Sequence, residues 1–303
     1  MAAMTDRTKQ PDGPQAGVVL RSSDRIAIIA GSGALPVALA RGLEREGHPP
    51  FIVLSRGEVD DTDAFSAFDS VSLALEEIGR LVPVLKKNRI THVVLAGGIG
   101  RRPDWRKMRP SIGLVRLLPT VISRLARGDN AVLSAVVDHI EANGIRVVGA
   151  HQILPGLLAA AGPFGAVAPS GRDRRDLDAA LAAARAIGAL DIGQAAVAVG
   201  GRAIALEGIE GTDGLLARVR DLRSHGRVAA ASGGVLVKCA KPGQELRADL
   251  PAIGPLTIEA AHAAGLAGIG VEANRSLVLN AEEVAARADR LGLFVVGLPG
   301  PVR

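Results

Sequence analysis

RIAIIAGSGALP, residues 25–36, decides the fold. Ile26 to Ala30 is a short apolar run, Gly31 to Gly33 a glycine turn, and Val37 to Glu46 continues with helical spacing. The same order recurs downstream. Pro50 to Leu54 is a second apolar run closed by the charged segment Arg56 to Asp61, Leu75 to Asn88 has the spacing of a helix, and Thr91 to Ala96 is a third strand that ends on Gly97 and Gly98. Strands that alternate with helices and end in glycine turns predict a parallel, doubly wound sheet, because parallel strands need crossover helices. Ligands of such sheets bind beyond the carboxyl ends of the strands, so the turns at 31–35 and 97–102 are expected to face one crevice.

Further along, Ser111 to Arg127 places Ile112, Val115, Leu118, Ile122 and Leu125 at helical spacing, with Arg116, Arg124 and Arg127 around them. Core packing is the plain reading of that pattern, and a basic amphipathic face against lipid the other. Ala131 to Asn143 is a helix and Ile145 to Val148 a strand. The segment 153–169 is uncharged, but Pro155, Gly156, Gly162, Pro163 and Gly165 interrupt it, so it reads as a loop and not as a membrane span.

Beyond it come a helix over Asp173 to Ile187 and two strands, Ala195 to Val199 and Arg202 to Leu206, joined by Gly200-Gly201 as a hairpin. Helices over 214–220, 257–264 and 281–291 and strands over 235–238, 268–272 and 294–296 complete a mixed α/β half. The expectation is an α/β protein with a flexible tail at 1–24, a Rossmann-like parallel-sheet domain at 25–154, and a smaller mixed α/β domain at 155–303.

Composition narrows the function classes. A chain of 303 residues accommodates two cores. Its 36 basic and 31 acidic groups leave an excess of +5 spread along the chain, and aromatics make up 2%, so a base-stacking nucleic-acid platform has almost no material. Cys239 stands alone, which excludes an internal disulfide and a cysteine zinc cluster and fits a reducing compartment; a cytoplasmic location is expected. The six histidines show no HExxH or triad-like spacing, no GxSxG elbow is present, and no Walker lysine follows the first glycine turn.

Four stretches carry candidate chemistry. The Gly31-x-Gly33 turn suits an anion at a helix N-terminus. Pro36 stands where a dinucleotide fingerprint wants its third glycine, and Glu58 where a ribose-binding acid would lie. In GIEGTD after Glu207, the carboxylates of Glu207, Glu210 and Asp213 either coordinate a hard cation or leave Thr212 or Asp213 to cap the following helix. KCAKPGQELRADLPAIG, residues 238–254, crowds Lys238, Lys241, Gln244, Glu245, Arg247 and Asp249 into a loop punctuated by prolines and glycines. Phosphoanhydride cleavage needs both kinds of group: cations to neutralise phosphoryl charge, and carboxylates to hold Mg²⁺ or orient water. Arg101, Arg102, Asp104 and Arg106 follow the third strand, where an arginine fork can hold a phosphate.

These motifs together resemble the LpxI family of UDP-2,3-diacylglucosamine pyrophosphatases. The likeness runs through IAGSGALP at 29–36, VVLAGGIGRRPDW at 93–105, GDN at 128–130, LDIGQAAV at 190–197, EGIEGTDGLLARV at 207–219 and the long block at 238–274. It implies Mg²⁺-dependent hydrolysis (or hydrolysis with another divalent cation) of UDP-2,3-diacylglucosamine to 2,3-diacylglucosamine 1-phosphate and UMP. Asp249 matches the aspartate of the family's DLP motif and is expected as metal ligand or water-orienting base, with Asp213 as a second metal ligand and Lys241 beside them in catalysis.

Lys238, Lys241 and Arg247 would neutralise phosphate, Gly31, Ser32, Gly33, Gly97 and Gly98 would line the nucleotide site, and Arg102, Gln194, Thr212 and Gln244 are further expected substrate contacts. Two positions depart from the family pattern: Asn130 replaces a carboxylate common after the Gly-Asp pair, and Glu245 stands where aspartate is frequent. A diacyl substrate further implies peripheral contact with the inner membrane surface, and a homodimer is the expected assembly. Two readings of other classes stand beside this one, NAD(P)-dependent hydride transfer at the Gly31 turn and nucleotide sensing without catalysis.

Overall fold

Ile26–Ala30 (β1) pairs in parallel with Phe51–Ser55 (β2) on one side and His92–Ala96 (β4) on the other; Ser70–Leu73 (β3) and Arg146–Val147 (β5) extend the sheet to the order β3-β2-β1-β4-β5. This is the strand order of a doubly wound sheet, and its topological switch point lies between β1 and β4. The computed structural model describes residues 17–101, 104–108, 129–228, 232–242 and 244–300. The helices here are Leu35–Arg45 (α1), Leu81–Lys87 (α2), Asp129–Glu141 (α3) and Ala150–Ile153 (α4).

The single helix expected over 75–88 is broken: a 3₁₀ turn at Leu75–Arg80, with Glu77 out of helical geometry, precedes α2. Pro83 accounts for the break, since it has no N–H to give to the carbonyl of Gly79 and is tolerated in the first turn of α2. Strand β3 escapes sequence reading because it is a four-residue edge strand whose serines alternate outward. Of the segment read as a tail, Gly17 onward is described, and there it is held: the Val18 N–H donates to the Gln152 carbonyl, and Val18 and Leu20 pack on the first core.

The second lobe holds a six-stranded mixed sheet, β6-β13-β11-β9-β7-β8, from Gly162–Pro163 (β6), Ala195–Val199 (β7), Arg202–Leu206 (β8), Val235–Lys238 (β9), Gly268–Glu272 (β11) and Phe294–Leu298 (β13). Strands β9, β11 and β13 are parallel and the others antiparallel to their neighbours, and at six strands this sheet is wider than the first. Gly171–Ala189 (α5) covers one face, meeting Val235, Val237 and Phe294 through Leu177 and Ala180. A capping box between Ser170 and Asp173 starts α5 two residues before the expected point.

Gly211–Ser224 (α6), Pro255–Ala263 (α7) and Ala281–Leu291 (α8) cover the other face, packing on Val197, Leu236, Ile269 and Val295. Because neighbours on a strand point to opposite faces, Lys238 shares the α6–α7 face with Leu236, while Cys239 sits against Ala184 of α5.

The lobes are joined through Ala252–Ile253 (β10) and Leu277–Val278 (β12), a two-stranded parallel ribbon. Leu277 and Leu279 belong to the same buried cluster as Ile28, Ala30, Val94 and Ala96 of the first sheet. The loop from Gln244 to Gly254 is therefore drawn across the first lobe, with Ala248 against one of its cores and Leu250 and Ala252 against the other.

Candidate active site

At the switch point of the first sheet the two glycine turns are zipped together. The Gly31 N–H donates to the Ala96 carbonyl at 2.8 Å, and Ser32 and Gly98 exchange backbone bonds of 2.9 and 3.0 Å. Glycine is required by the closeness: a Cβ on Gly31 would lie 2.2 Å from the Gly98 oxygen, and one on Gly97, whose φ is +88°, 2.4 Å from the Ser32 oxygen. Carboxylates take the remaining donors. Asp60 accepts from the Gly33 N–H at 2.7 Å and buried Glu58 from the Gly100 N–H at 2.6 Å, with Arg101 bridging Glu58 and Glu76. The Arg101 guanidinium and backbone bonds hold the Glu76 carboxyl down at about 2. An acid thus occupies the Gly33 donor that a bound pyrophosphate would use, and Gly31, Ser32, Gly33 and Gly98 already have protein partners for their N–H groups.

In the second lobe the carboxyl end of β9 brings a cation and three acids together. Lys238 is 7% exposed, and its ammonium donates to the Ala252 carbonyl at 3.0 Å. Burial pushes its pKa below the ordinary lysine value, while the negative charges of Glu207, Asp213 and Asp249 pull it back. Glu207, also buried, accepts from the Gln194 N–H at 2.7 Å and from the Thr212 hydroxyl at 2.6 Å. The Gln194 carbonyl in turn holds the Cys239 N–H, and its buried side-chain oxygen Oε1 has no hydrogen-bond partner among the described residues.

The three carboxylates of 207–213 do not form one cation site. Glu207 is turned inward to Thr212, Glu210 pairs with Arg218 at 2.9 Å, and Asp213 is exposed in the first turn of α6 within electrostatic reach of Lys238. The helix is not capped by Thr212 or Asp213 either; its N-cap position is Glu210, which makes no side-chain cap.

The loop that follows is ordered by its own polar groups. Lys241 N–H donates to Gln244 Oε1 at 2.8 Å, and Gln244 Nε2 donates to Asp249 Oδ2 at 2.6 Å. The Lys241 ammonium pairs with Asp191 at 2.8 Å. The Arg247 guanidinium is spent on protein acceptors: Nε and Nη2 donate to Glu245 at 2.9 and 3.0 Å, and Nη1 to Glu141 of α3 at 2.7 Å. Burial alone would raise the Glu245 carboxyl, but the bonds and charge of Arg247 outweigh it and hold that carboxyl below its usual value. Arg247, expected as a phosphate ligand, is in this structure a pin between lobes, because the nearest acids satisfy a desolvated guanidinium before any ligand arrives.

A cavity of ≈ 770 Å³ lies between the lobes, lined by Gly31, Gly33, Val37 and Phe65 on one side and Pro255, Leu256 and Leu279 on the other. It places the turn at Gly31 to Gly33 opposite the start of α7, the helix that the 238–254 loop leads into.

Of the expected site residues, Lys238, Asp213, Asp249, Gln194, Thr212 and Gln244 belong to one connected group, with Lys241 hydrogen-bonded to it, and the five residues of the glycine turns form another. Arg102, the 111–127 stretch and Gly128 lie outside the described residues. Glu207 and Glu141 gain their roles from positions that sequence spacing does not reveal. Among the described residues no group of three or more His, Cys, Asp or Glu side chains is placed to hold a metal ion. Two carboxylates face the Lys238 region, Asp213 with no hydrogen bond among the described residues and Asp249 with one oxygen engaged, and two are enough for a hexacoordinate magnesium that takes its other ligands from water and substrate phosphate.

Residues 25–157 match the family model described as LpxI N-terminal domain and residues 160–296 that described as LpxI C-terminal domain. The chain is 40% identical over 275 residues to UDP-2,3-diacylglucosamine pyrophosphatase LpxI of Caulobacter vibrioides, covering 90% of this chain and 97% of that one. Among solved structures it is similar to CobK precorrin-6A reductase at a TM-score of 0.31 and 13% identity, over 92% of this chain and 89% of that one. With both domain models matched in order and the relative covered almost end to end, the chain belongs to the LpxI family.

Proposed function

We propose that this protein hydrolyses the pyrophosphate bond of UDP-2,3-diacylglucosamine, giving 2,3-diacylglucosamine 1-phosphate and UMP in lipid A synthesis. The observation that carries this reading is the 40% identity, spread over 97% of a relative with that activity in its name. The cluster at the end of β9 supplies suitable chemistry. Water adds to one phosphorus, the bridging P–O bond breaks, and the departing proton is taken by a carboxylate; attack at either phosphorus gives the same two products. Asp249 suits the role of base, since Gln244 fixes one of its oxygens and leaves the other for water. Lys238 offsets part of the charge of the acids around it, which eases the approach of a phosphoryl group.

Asp213 and Asp249 would hold a divalent cation, Mg²⁺ by its preference for carboxylate and phosphate oxygens; bound there, it would neutralise the diphosphate and acidify water. The glycine turns, with their donors engaged, would meet the nucleotide by packing and not by hydrogen bonds. The substrate reaches the enzyme from a lipid surface on the cytoplasmic side, where the protein works peripherally; among the described residues no helix is long and apolar enough to cross a membrane. The test is release of UMP from the lipid nucleotide by wild type and Asp249→Asn, with and without a chelator. We expect roughly a 100- to 10,000-fold loss in the variant with unchanged circular dichroism, and loss of wild-type activity in chelator. Wild-type turnover by Asp249→Asn would sink the assignment.

A further inference from the structure

The cations expected to grip a diphosphate are committed elsewhere: Lys238 to the Ala252 carbonyl, Lys241 to Asp191, and Arg247 to Glu245 and Glu141. A different pair shares a single acid. Glu272, the last residue of β11, is 3% exposed, and two guanidiniums converge on it, Arg185 from α5 at 3.4 Å and Arg275 from the turn after the strand at 3.7 Å. The second distance, from Arg275 Nε to Glu272 Oε2, is beyond a hydrogen bond, and that buried Nε makes no hydrogen bond among the described residues. Buried donors are seldom left unspent in a finished site. Two positive charges over one negative leave this spot with an excess of one. Both side chains keep surface open to solvent, 38% and 24% exposed, although Arg275 Nε itself is covered.

The position is also right for a ligand. Glu272 accepts the Ala240 N–H at 3.2 Å, so the pair stands over the carboxyl ends of β9 and β11, beside the turn that carries Lys238 and Lys241. The charges of Arg185 and Arg275 both act on the Cys239 thiol, which places them against that turn. Open α/β sheets bind ligands at these strand ends, and a pair of planar guanidiniums matches phosphate oxygens. Glu272 fits the part of a carboxylate brace that holds the fork open.

We propose that Arg185 and Arg275 form an anion fork that receives a phosphate group of the substrate's diphosphate, with Glu272 positioning both; this rests on the pyrophosphatase reading above. Two measurements test it together, initial-rate kinetics on the lipid nucleotide and calorimetry with inorganic pyrophosphate, on wild type, Arg185→Ala, Arg275→Ala and the charge-keeping Arg185→Lys. Removing one charge-assisted bond to phosphate should raise KM and weaken pyrophosphate binding roughly ten- to hundredfold, with Arg185→Lys between wild type and Arg185→Ala.

If wild type turns over substrate and both alanine variants keep its KM and its pyrophosphate affinity, the fork is overturned while the function stands. If wild type does not hydrolyse the lipid nucleotide, the function fails; pyrophosphate binding that is lost in the variants would still uphold the fork, and binding that is absent or unchanged would overturn it. Unaltered thermal unfolding midpoints separate lost contacts from lost fold.

Discussion

Lys238 and Cys239 are neighbours in sequence with opposite surroundings. The lysine meets Glu207, Asp213 and Asp249, whereas burial pushes the Cys239 thiol up to about 11. A stated residue type predicts neither environment; the pleat of β9 does. His151 shows the same dependence. It is 7% exposed, its Nδ1 has no hydrogen-bond partner among the described residues, and burial lowers its pKa below 6.5. A base held neutral in the folded state favours folding above its unfolded pKa and loses that contribution as pH falls from 6.5 toward the lower folded value, because the unfolded chain takes the proton and the folded one resists it. Urea unfolding at pH 7.5 and 5.5 should therefore show wild type losing on the order of 1 kcal/mol over this interval. His151→Gln should lose less, and equal losses would remove His151 as the cause.

At the scale of elements, the hairpin of β7 and β8 was legible from Gly200-Gly201, both of which adopt the positive φ that a tight hairpin turn requires. What the dipeptide does not reveal is that Asp176, 1% exposed on α5, accepts the Gly201 N–H and so ties helix to turn. The glycines after β1 and β4 read correctly as turns at strand ends, and in this structure they let two turns approach backbone to backbone. Gly97→Ala tests this, since its Cβ would meet the Ser32 oxygen at 2.4 Å on a backbone with φ of +88°. Clash and left-handed strain together should cost roughly 3 kcal/mol, read as a lower unfolding midpoint. A midpoint within error of wild type would show that the two turns are not tightly joined.

For the molecule as a whole, the decisive feature is the loop from 244 to 254, which leaves the second lobe, packs Ala248 and Leu250 on the first, and returns through β10. Arg247 locks it by its bond to Glu141, a contact across 106 positions of sequence. Glu141→Gln should lower the unfolding free energy by about 1 kcal/mol, a modest figure because the pair is partly exposed. Turnover should fall several-fold as Asp249 loses its fixed support. Unchanged stability and rate would mean that the apolar seam of Leu277 and Leu279 alone holds the lobes.

The sequence by itself determined the two α/β lobes, the parallel first sheet and most of the helices and strands, because periodicity and glycine punctuation are local properties of the chain. Only the tertiary structure decided which charges face one another. Arg247, Lys241 and Glu210 have side chains as suited to a ligand as those of Arg185 and Arg275. Partners brought together from distant positions determine which of them are already satisfied, and the Coulomb energy of a pair depends on a separation in space that no spacing along the chain encodes.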